Sequence, residues 1–398
     1  MKFLSVLSTS LLALCRLTAA ADAEEPQPLA KRASLQQVSG FGSNPSGAKM
    51  FIYVPNNVAS KPAVVVAIHH CQGTGTSYYQ STPYARLADQ YGFIVIYPES
   101  PYSGTCWDVS STATLTHNGG ANSNSIANMV TYTLSKYGAD ASRVYVTGSS
   151  SGAMMTVSFA SLPSLLRDPD ANYFLCFLSS RQNVMAATYP DMFAAGNVYN
   201  GVPAGCFYTG TVNGWNSTCS QGNSRATPEQ WAATVRKMYP GYAGNYPRLQ
   251  IYHGGSDTTL YPNNYNETIK EWAGVDGYNY QAPVQTLGGT PIQQCTKYIF
   301  GDRLQGIYCP SIGHTVPVQG EEDLKWFGII GGGGGSNPGT PTTTTAAPSP
   351  TNGNGGGGGG GCAAAQYAQC GGQGYTGCKT CASPFTCKVS NECKSPSN

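Results

Sequence analysis

The chain has 398 residues, of which 40% are hydrophobic and only 11% charged, against ~25% charged in an average soluble domain. That excludes a charge-rich disordered chain and a solvated coiled coil, and leaves enough apolar surface for a packed core. Lys and Arg number 22 against 20 Asp and Glu, a net charge of +2, so the chain offers no basic field for nucleic acid. Fourteen Cys and 26 Tyr suit a secreted, disulfide-bearing protein.

In chain order, Lys2, the apolar run Phe3 to Leu14 and Ala19-Ala20-Ala21 form a secretory leader over residues 1–20, too short to span a bilayer. Residues 21–32 end in Lys31-Arg32. This reads as a propeptide with dibasic processing, giving a mature start near Ala33. The competing reading is an exposed charge pair in an unfolded arm. Elsewhere no stretch reaches 18 apolar residues, so no membrane span is predicted.

Residues 33–330 read as one globular domain. Met50 to Val54, Ala63 to Ile68, Phe93 to Tyr97 and Arg143 to Thr147 are strand-like, and two of them are near-continuous apolar runs. Such runs suit strands covered on both faces. Tyr84 to Tyr91 suits a helix. So does Asn124 to Tyr137, which places Ile126, Met129, Val130, Thr133, Leu134 and Tyr137 on one face. The alternation predicts an α/β fold with a mostly parallel central sheet. Residues 331–361 are a Gly/Thr/Pro linker that cannot bury a core. Residues 362–398 hold six of the 14 Cys, so cross-links must hold that small module together.

Gly148-Ser149-Ser150-Ser151-Gly152 is a G-x-S-x-G motif. Chance produces about half such a motif in a chain this rich in Gly and Ser, so context decides. Val144-Tyr145-Val146 precedes it as a strand and Ala153-Met154-Met155-Thr156 follows as a helix start. That strand–turn–helix setting exposes Ser150 as a nucleophile; otherwise the motif is a glycine-rich turn without chemistry. A serine needs a base and the base an orienting acid, in chain order Ser, acid, His. His314 lies late, in a loop of small residues. Asp257 follows the strand Leu249 to Tyr252 in Gly254-Gly255-Ser256-Asp257. These are the predicted base and acid, with Asp276 and Asp302 as rival acids and His253 as a structural brace. The amides of Ser151 and Cys71 are the candidate oxyanion hole. His69 and His70 have no third ligand at sensible spacing, so they read as packing around that loop and no metal is predicted.

The runs Val144 to Thr156, Asn183 to Phe207, Val212 to Gly222 and Gln250 to Tyr278, with Gly313-His314-Thr315-Val316-Pro317, closely resemble fungal acetylxylan esterases. These share a group with feruloyl esterases and polyhydroxybutyrate depolymerases. The resemblance implies an α/β-hydrolase fold and deacetylation of xylan through an acyl-enzyme, and points to the same Ser150, Asp257 and His314. It makes Trp215 a substrate-contacting aromatic, with Trp107 a second candidate; the alternative for Trp215 is a surface ring held by Cys206 and Cys219. No cofactor is implied.

One segment departs from the family, which runs from Ala-Met-Met-Thr directly into the equivalent of Asn183 to Pro190. Here Val157 to Gln182 intervenes. It spans a whole number of codons, and its ends fit codons of an intron start and end. It therefore reads as a retained intron, a real loop insertion being the alternative. Its Pro163 and Pro169 would break the helix behind Ser150.

Outside the leader and that segment, the large domain holds Cys71, Cys106, Cys206, Cys219, Cys295 and Cys309. Proximity favours Cys206–Cys219 and Cys295–Cys309, leaving Cys71–Cys106 to brace the oxyanion loop. Asn216 and Asn266 open N-glycosylation sequons. In the tail, Gln366 to Cys378 resembles a fungal-type cellulose-binding module, with Cys370, Cys378, Cys381 and Cys387 as its disulfide cysteines. The match puts Tyr367 on the cellulose face and makes Tyr375 a packing residue. Asn391-Glu392 stands where the family carries two further rings, which weakens the cellulose contact expected.

Together these readings predict a secreted, monomeric acetylxylan esterase acting on acetylated xylan, with cellulose as a second partner through the tail and neither nucleic acid nor membrane. The rivals are a feruloyl esterase and a non-catalytic carbohydrate-binding protein.

Overall fold

The computed structural model describes residues 33–156 and 185–331. The leader, the propeptide, the 157–182 segment and the small C-terminal β module, with Tyr367 and its cysteines, lie outside the described residues. Backbone contacts divide the chain into Met1–Ser336 and Asn337–Asn398, and every described residue belongs to the first.

Ten strands form one sheet among the described residues: β1 Gln36–Val38, β2 Lys49–Tyr53, β3 Val64–Ile68, β4 Ile94–Glu99, β5 Val144–Ser149, β6 Ala195–Tyr199, β7 Arg248–Gly254, β8 Gln285–Gly288, β9 Thr296–Ile299 and β10 Leu304–Cys309. Their order is β1-β2-β4-β3-β5-β6-β7-β10-β9-β8. From β4 to β10 neighbours run parallel. Two antiparallel strands close each edge.

The helices are α1 Gly75–Ser81, α2 Tyr84–Tyr91, α3 Asn122–Tyr137, α4 Ser151–Thr156, α5 Met185–Thr188, α6 Ser217–Ser220, α7 Pro228–Arg236, α8 Asn263–Asp276 and α9 Gly320–Phe327. Apolar strand residues feed cores on both sheet faces, as the period of two requires. Val64, Val66, Ile68, Val144 and Val146 pack with Ile126, Met129 and Val130 of α3. Val65, Ala67, Val95 and Tyr145 pack the other way, against Leu87 of α2 and Leu324 and Phe327 of α9.

The predicted parallel α/β sheet is present. α2 has the predicted bounds, and α3 starts two residues earlier than expected, at Asn122. Among the described residues three disulfides join Cys71 to Cys106, Cys206 to Cys219 and Cys295 to Cys309, the pairing that proximity favours. No helix among the described residues is long and apolar enough to cross a membrane.

Candidate active site

Three loops at the carboxyl ends of parallel strands converge, where open α/β sheets bind ligands. The first is the turn from β5 into α4. Ser150 sits there at φ 54°, a left-handed conformation that is strained for a residue with a Cβ. The two glycines of the motif make the turn possible. A Cβ on Gly148 would lie 2.3 Å from the Gly152 carbonyl oxygen, and one on Gly152 would lie 2.2 Å from that of Ile68. The Ser150 amide donates to the Tyr199 carbonyl at 2.9 Å, which ties the turn to β6.

The second loop follows β7 and carries Asp257, which is 2% exposed. Its Oδ1 accepts the amides of Thr259 and Leu260, each at 2.9 Å. Its Oδ2 accepts the Asn200 side-chain amide at 2.9 Å and His314 Nδ1 at 2.8 Å. Burial works to raise this carboxyl. The hydrogen bonds from His314, Leu260 and Asn200 outweigh it and hold the group below its ordinary range. The third loop follows β10 and carries His314, whose Nε2 accepts from Ser150 Oγ at 2.7 Å. Serine, imidazole and carboxylate thus form one continuous relay. With Nδ1–H held by Asp257, Nε2 is left to take a proton.

The rival acids lie elsewhere. Asp276 pairs with Arg303 at 3.0 Å, and Asp302 accepts from the Tyr278 hydroxyl at 2.6 Å. His253 is 1% exposed and its Nε2 donates to the Leu260 carbonyl at 2.9 Å, bracing the acid loop. Burial lowers its pKa.

Cys71 and Ser151 both line the cavity that opens over Ser150. Ser151 is the first residue of α4, where an amide has no carbonyl one turn back to bond. The Cys71 loop is pinned on several sides. Cys71 is bonded to Cys106, its carbonyl accepts from His70 Nδ1 at 2.7 Å, and the Gln72 amide donates to the Gly104 carbonyl at 2.7 Å. His69 is fully buried. Its Nδ1 donates to the His70 carbonyl and its Nε2 accepts from the Ser100 amide. Burial lowers its pKa to about 4, which keeps it neutral. Among the described residues no group of three or more His, Cys, Asp or Glu is placed to hold a metal ion.

The cavity measures about 790 Å³ and is walled by Tyr78, Trp107, Val109, Phe207, Trp215 and Leu260, among others. Trp215 stands at its edge, 59% exposed, with its ring edge-on to Phe207 at 4.9 Å. Trp107 is 1% exposed and its indole N–H donates to the His69 carbonyl at 2.9 Å. It is a wall rather than a free ring.

Sequence reasoning did not find Asp108 or Asn200. Asp108 is fully buried and accepts from the amides of Ser110, Ser111 and Asn213 and the hydroxyl of Thr114. It fastens the backbone just before Trp215. The only signal for it was the cluster of Ser and Thr that follows, Ser110-Ser111-Thr112 and Thr114. Of the two sequon residues, Asn216 caps α6 through its side chain, and Asn266 is exposed on α8.

Residues 49–168 match the family model described as Esterase PHB depolymerase, and residues 366–393 match the Fungal cellulose binding domain. The chain is 59% identical over 385 residues to a probable acetylxylan esterase A of Aspergillus fumigatus, covering 96% of each chain. It is 60% identical over 303 residues to acetylxylan esterase A of Aspergillus ficuum, covering 75% of this chain and 91% of that one. Among solved structures it is similar to the acetyl xylan esterase from Aspergillus awamori, at 60% identity and a TM-score of 0.67, covering 75% of this chain and all of the other. A relative this similar along nearly its whole length fixes the family: the chain belongs to the acetylxylan esterases, serine esterases of the α/β-hydrolase fold.

Proposed function

We propose that this chain is a secreted esterase that removes acetyl groups from the xylose units of xylan during hemicellulose breakdown. Ser150 Oγ attacks the acetyl carbonyl as His314 Nε2 takes its proton. The tetrahedral oxyanion rests on the amides of Ser151 and Cys71. His314 returns the proton to the departing sugar oxygen and leaves an acetyl-serine. Water, deprotonated by the same nitrogen, then releases acetate. Asp257 holds the imidazole in the productive tautomer and steadies its charged form.

The observation that carries this reading is the single imidazole bridging Ser150 at 2.7 Å and Asp257 at 2.8 Å at the base of an aromatic-walled cavity. Trp215 stacks on a sugar face at the edge, and Trp107 shapes the wall behind it. The assembled relay weighs against a purely carbohydrate-binding role.

The rest of the chain fits the same setting. Residues 1–20 direct secretion and 21–32 are removed. Residues 33–330 form the catalytic domain, 331–361 the linker and 362–398 a module that meets cellulose through Tyr367. Glycans on Asn216 and Asn266 suit that route, and 157–182 is a retained intron absent from the spliced message. The enzyme acts as a monomer.

Release of acid from plant xylan tests the function. We expect acetate in large excess over ferulate, and a fall of at least ~10⁴-fold with Ser150→Ala. Ferulate as the main product would reassign the substrate, and acetate release by Ser150→Ala would refute the mechanism.

A further inference from the structure

Asn200 is a buried side chain with three partners on two loops that the reaction needs. It follows β6 and is 1% exposed. Its backbone sits at φ 55°, a left-handed conformation that Asn tolerates better than most residues. Its Nδ2 donates to Asp257 Oδ2 at 2.9 Å and to the Gly313 carbonyl at 3.3 Å. Its Oδ1 accepts from the Val316 amide at 3.3 Å. Its own amide donates to the Tyr252 carbonyl at 2.9 Å. The preceding residue, Tyr199, accepts the Ser150 amide through its carbonyl at 2.9 Å.

One residue therefore stands at the junction of all three loops. It bonds the carboxylate of the acid loop, and it grips the base loop on both sides of His314, at Gly313 and Val316. Through its neighbour it is tied to the nucleophile's turn. The bond to Asp257 falls on Oδ2, the oxygen that holds His314 Nδ1. A donor there fixes the carboxylate's rotation and leaves a lone pair aimed at the imidazole.

We propose that Asn200 is a positioning residue of this esterase, setting the distance and angle between Asp257 and His314 by clamping the acid loop to the base loop. The proposal rests on the Ser150–His314–Asp257 reading above. Asn200 lines the floor of the cavity, but at 1% exposure it acts through the other two side chains rather than on substrate. Geometry held this way affects turnover more than binding, because an ångström-scale displacement of a reacting group costs ~10²-fold.

The test compares Asn200→Gly, Asn200→Asp and Ser150→Ala in the protein translated from the spliced message, with nitrophenyl acetate and acetylated xylan as substrates. Glycine keeps the left-handed backbone comfortable and removes all three side-chain bonds. Aspartate keeps the shape and the acceptor for Val316. It loses the amide donor and sets a second negative charge beside Asp257, the carboxylate that faces His314 at 2.8 Å and His253 at 3.6 Å. Near-ultraviolet circular dichroism reports the folded fraction.

We expect Asn200→Gly to lower kcat by ~10- to 100-fold per folded molecule, with KM within twofold. In Asn200→Asp we expect a similar loss of kcat. The acid limb of kcat/KM should also move upward by half a pH unit or more, since added negative charge favours the imidazolium. That shift reports the added charge, so the discriminating readout is Asn200→Gly, where no charge is added: a residue that only fills space would not lower kcat with KM unchanged. Wild-type kcat in folded Asn200→Gly overturns the proposal. If that variant does not fold, Asn200→Asp decides alone, and wild-type kcat in it overturns the proposal. Activity in Ser150→Ala would instead sink the underlying site reading.

Discussion

At the base of the cavity Asp257 is 2% exposed and accepts four hydrogen bonds, from Thr259, Leu260, Asn200 and His314. At its edge Trp215 is 59% exposed and leans edge-on against Phe207. The two regions hold different things still. At the base every polar atom of the acid is fixed, so the reacting groups meet without reorganising. At the edge only the backbone is fixed, where Asp108 and Ser110 Oγ accept the amides of Asn213 and Gly214. The ring beyond it is left to the solvent. A cavity built this way keeps its chemistry rigid while its contact surface can adjust to a polymer.

The contrast breaks first at Asp257. Asp257→Asn keeps the shape and removes the charge that sets the imidazole tautomer. In serine hydrolases generally such a change costs ~10⁴-fold in kcat. We expect a loss of ~10³- to 10⁴-fold here, with KM little changed, measured by steady-state release of nitrophenol. A loss under tenfold would mean that the base does not depend on its acid.

Trp215→Ala probes the edge. Covering ~50 Å² of ring at ~25 cal/mol/Å² is worth ~1 kcal/mol, or about fivefold in binding. KM for acetylated xylan should therefore rise about fivefold, with kcat and the KM for nitrophenyl acetate unchanged. A fall in kcat equal to the rise in KM would erase the division between the two regions.

The smallest expected effect on turnover lies beneath both regions. Asp323 is fully buried and accepts the hydroxyls of Tyr84 and Tyr199, each at 2.6 Å. Burial raises its pKa from 3.8 to about 7. Between these values the unfolded chain loses the proton while the folded chain keeps it. This group's contribution to stability therefore falls as pH rises across that window, and is level outside it. Asp323→Asn should flatten that part of the Tm-against-pH curve, with kcat within about twofold. An unchanged slope would refute the assignment.

The parts legible in the sequence were those written locally. Gly148 to Gly152 between a strand and a helix marked Ser150 as the candidate nucleophile, and the structure places it within 2.7 Å of His314 Nε2. Asp257 and His314 sat in small-residue loops after apolar runs. The parallel strands β3, β4 and β5 were legible because burial on both faces leaves runs of Val and Ile, whereas β6 (Ala-Gly-Asn-Val-Tyr) and β10 (Leu-Gln-Gly-Ile-Tyr-Cys) carry no such run and were not read as strands. The antiparallel edge strands β8 and β9 were not. Gln285 to Gly288 carries one apolar residue, and its pairing is supplied by β9 rather than by any pattern of its own. α1, Gly-Thr-Ser-Tyr-Tyr-Gln-Ser, has no apolar period either, and its start is set by the Thr74 capping box. Asn200 and Asp108 stayed hidden for another reason. An Asn after a strand, or an Asp before a run of serines, looks like ordinary turn chemistry. Their meaning comes from groups 57 and 105 positions away, and those contacts exist only once the sheet has formed.

The central claim is that Ser150 is the one nucleophile served by His314 and Asp257. Its most direct test is titration of the protein translated from the spliced message with a serine-directed fluorophosphonate, followed by peptide mapping and assay of residual acetate release. The account predicts one label per chain, on the peptide holding Ser150, with activity falling in proportion to labelling. Full acetate release from a stoichiometrically labelled chain, or inactivation with the label on another residue, would contradict it.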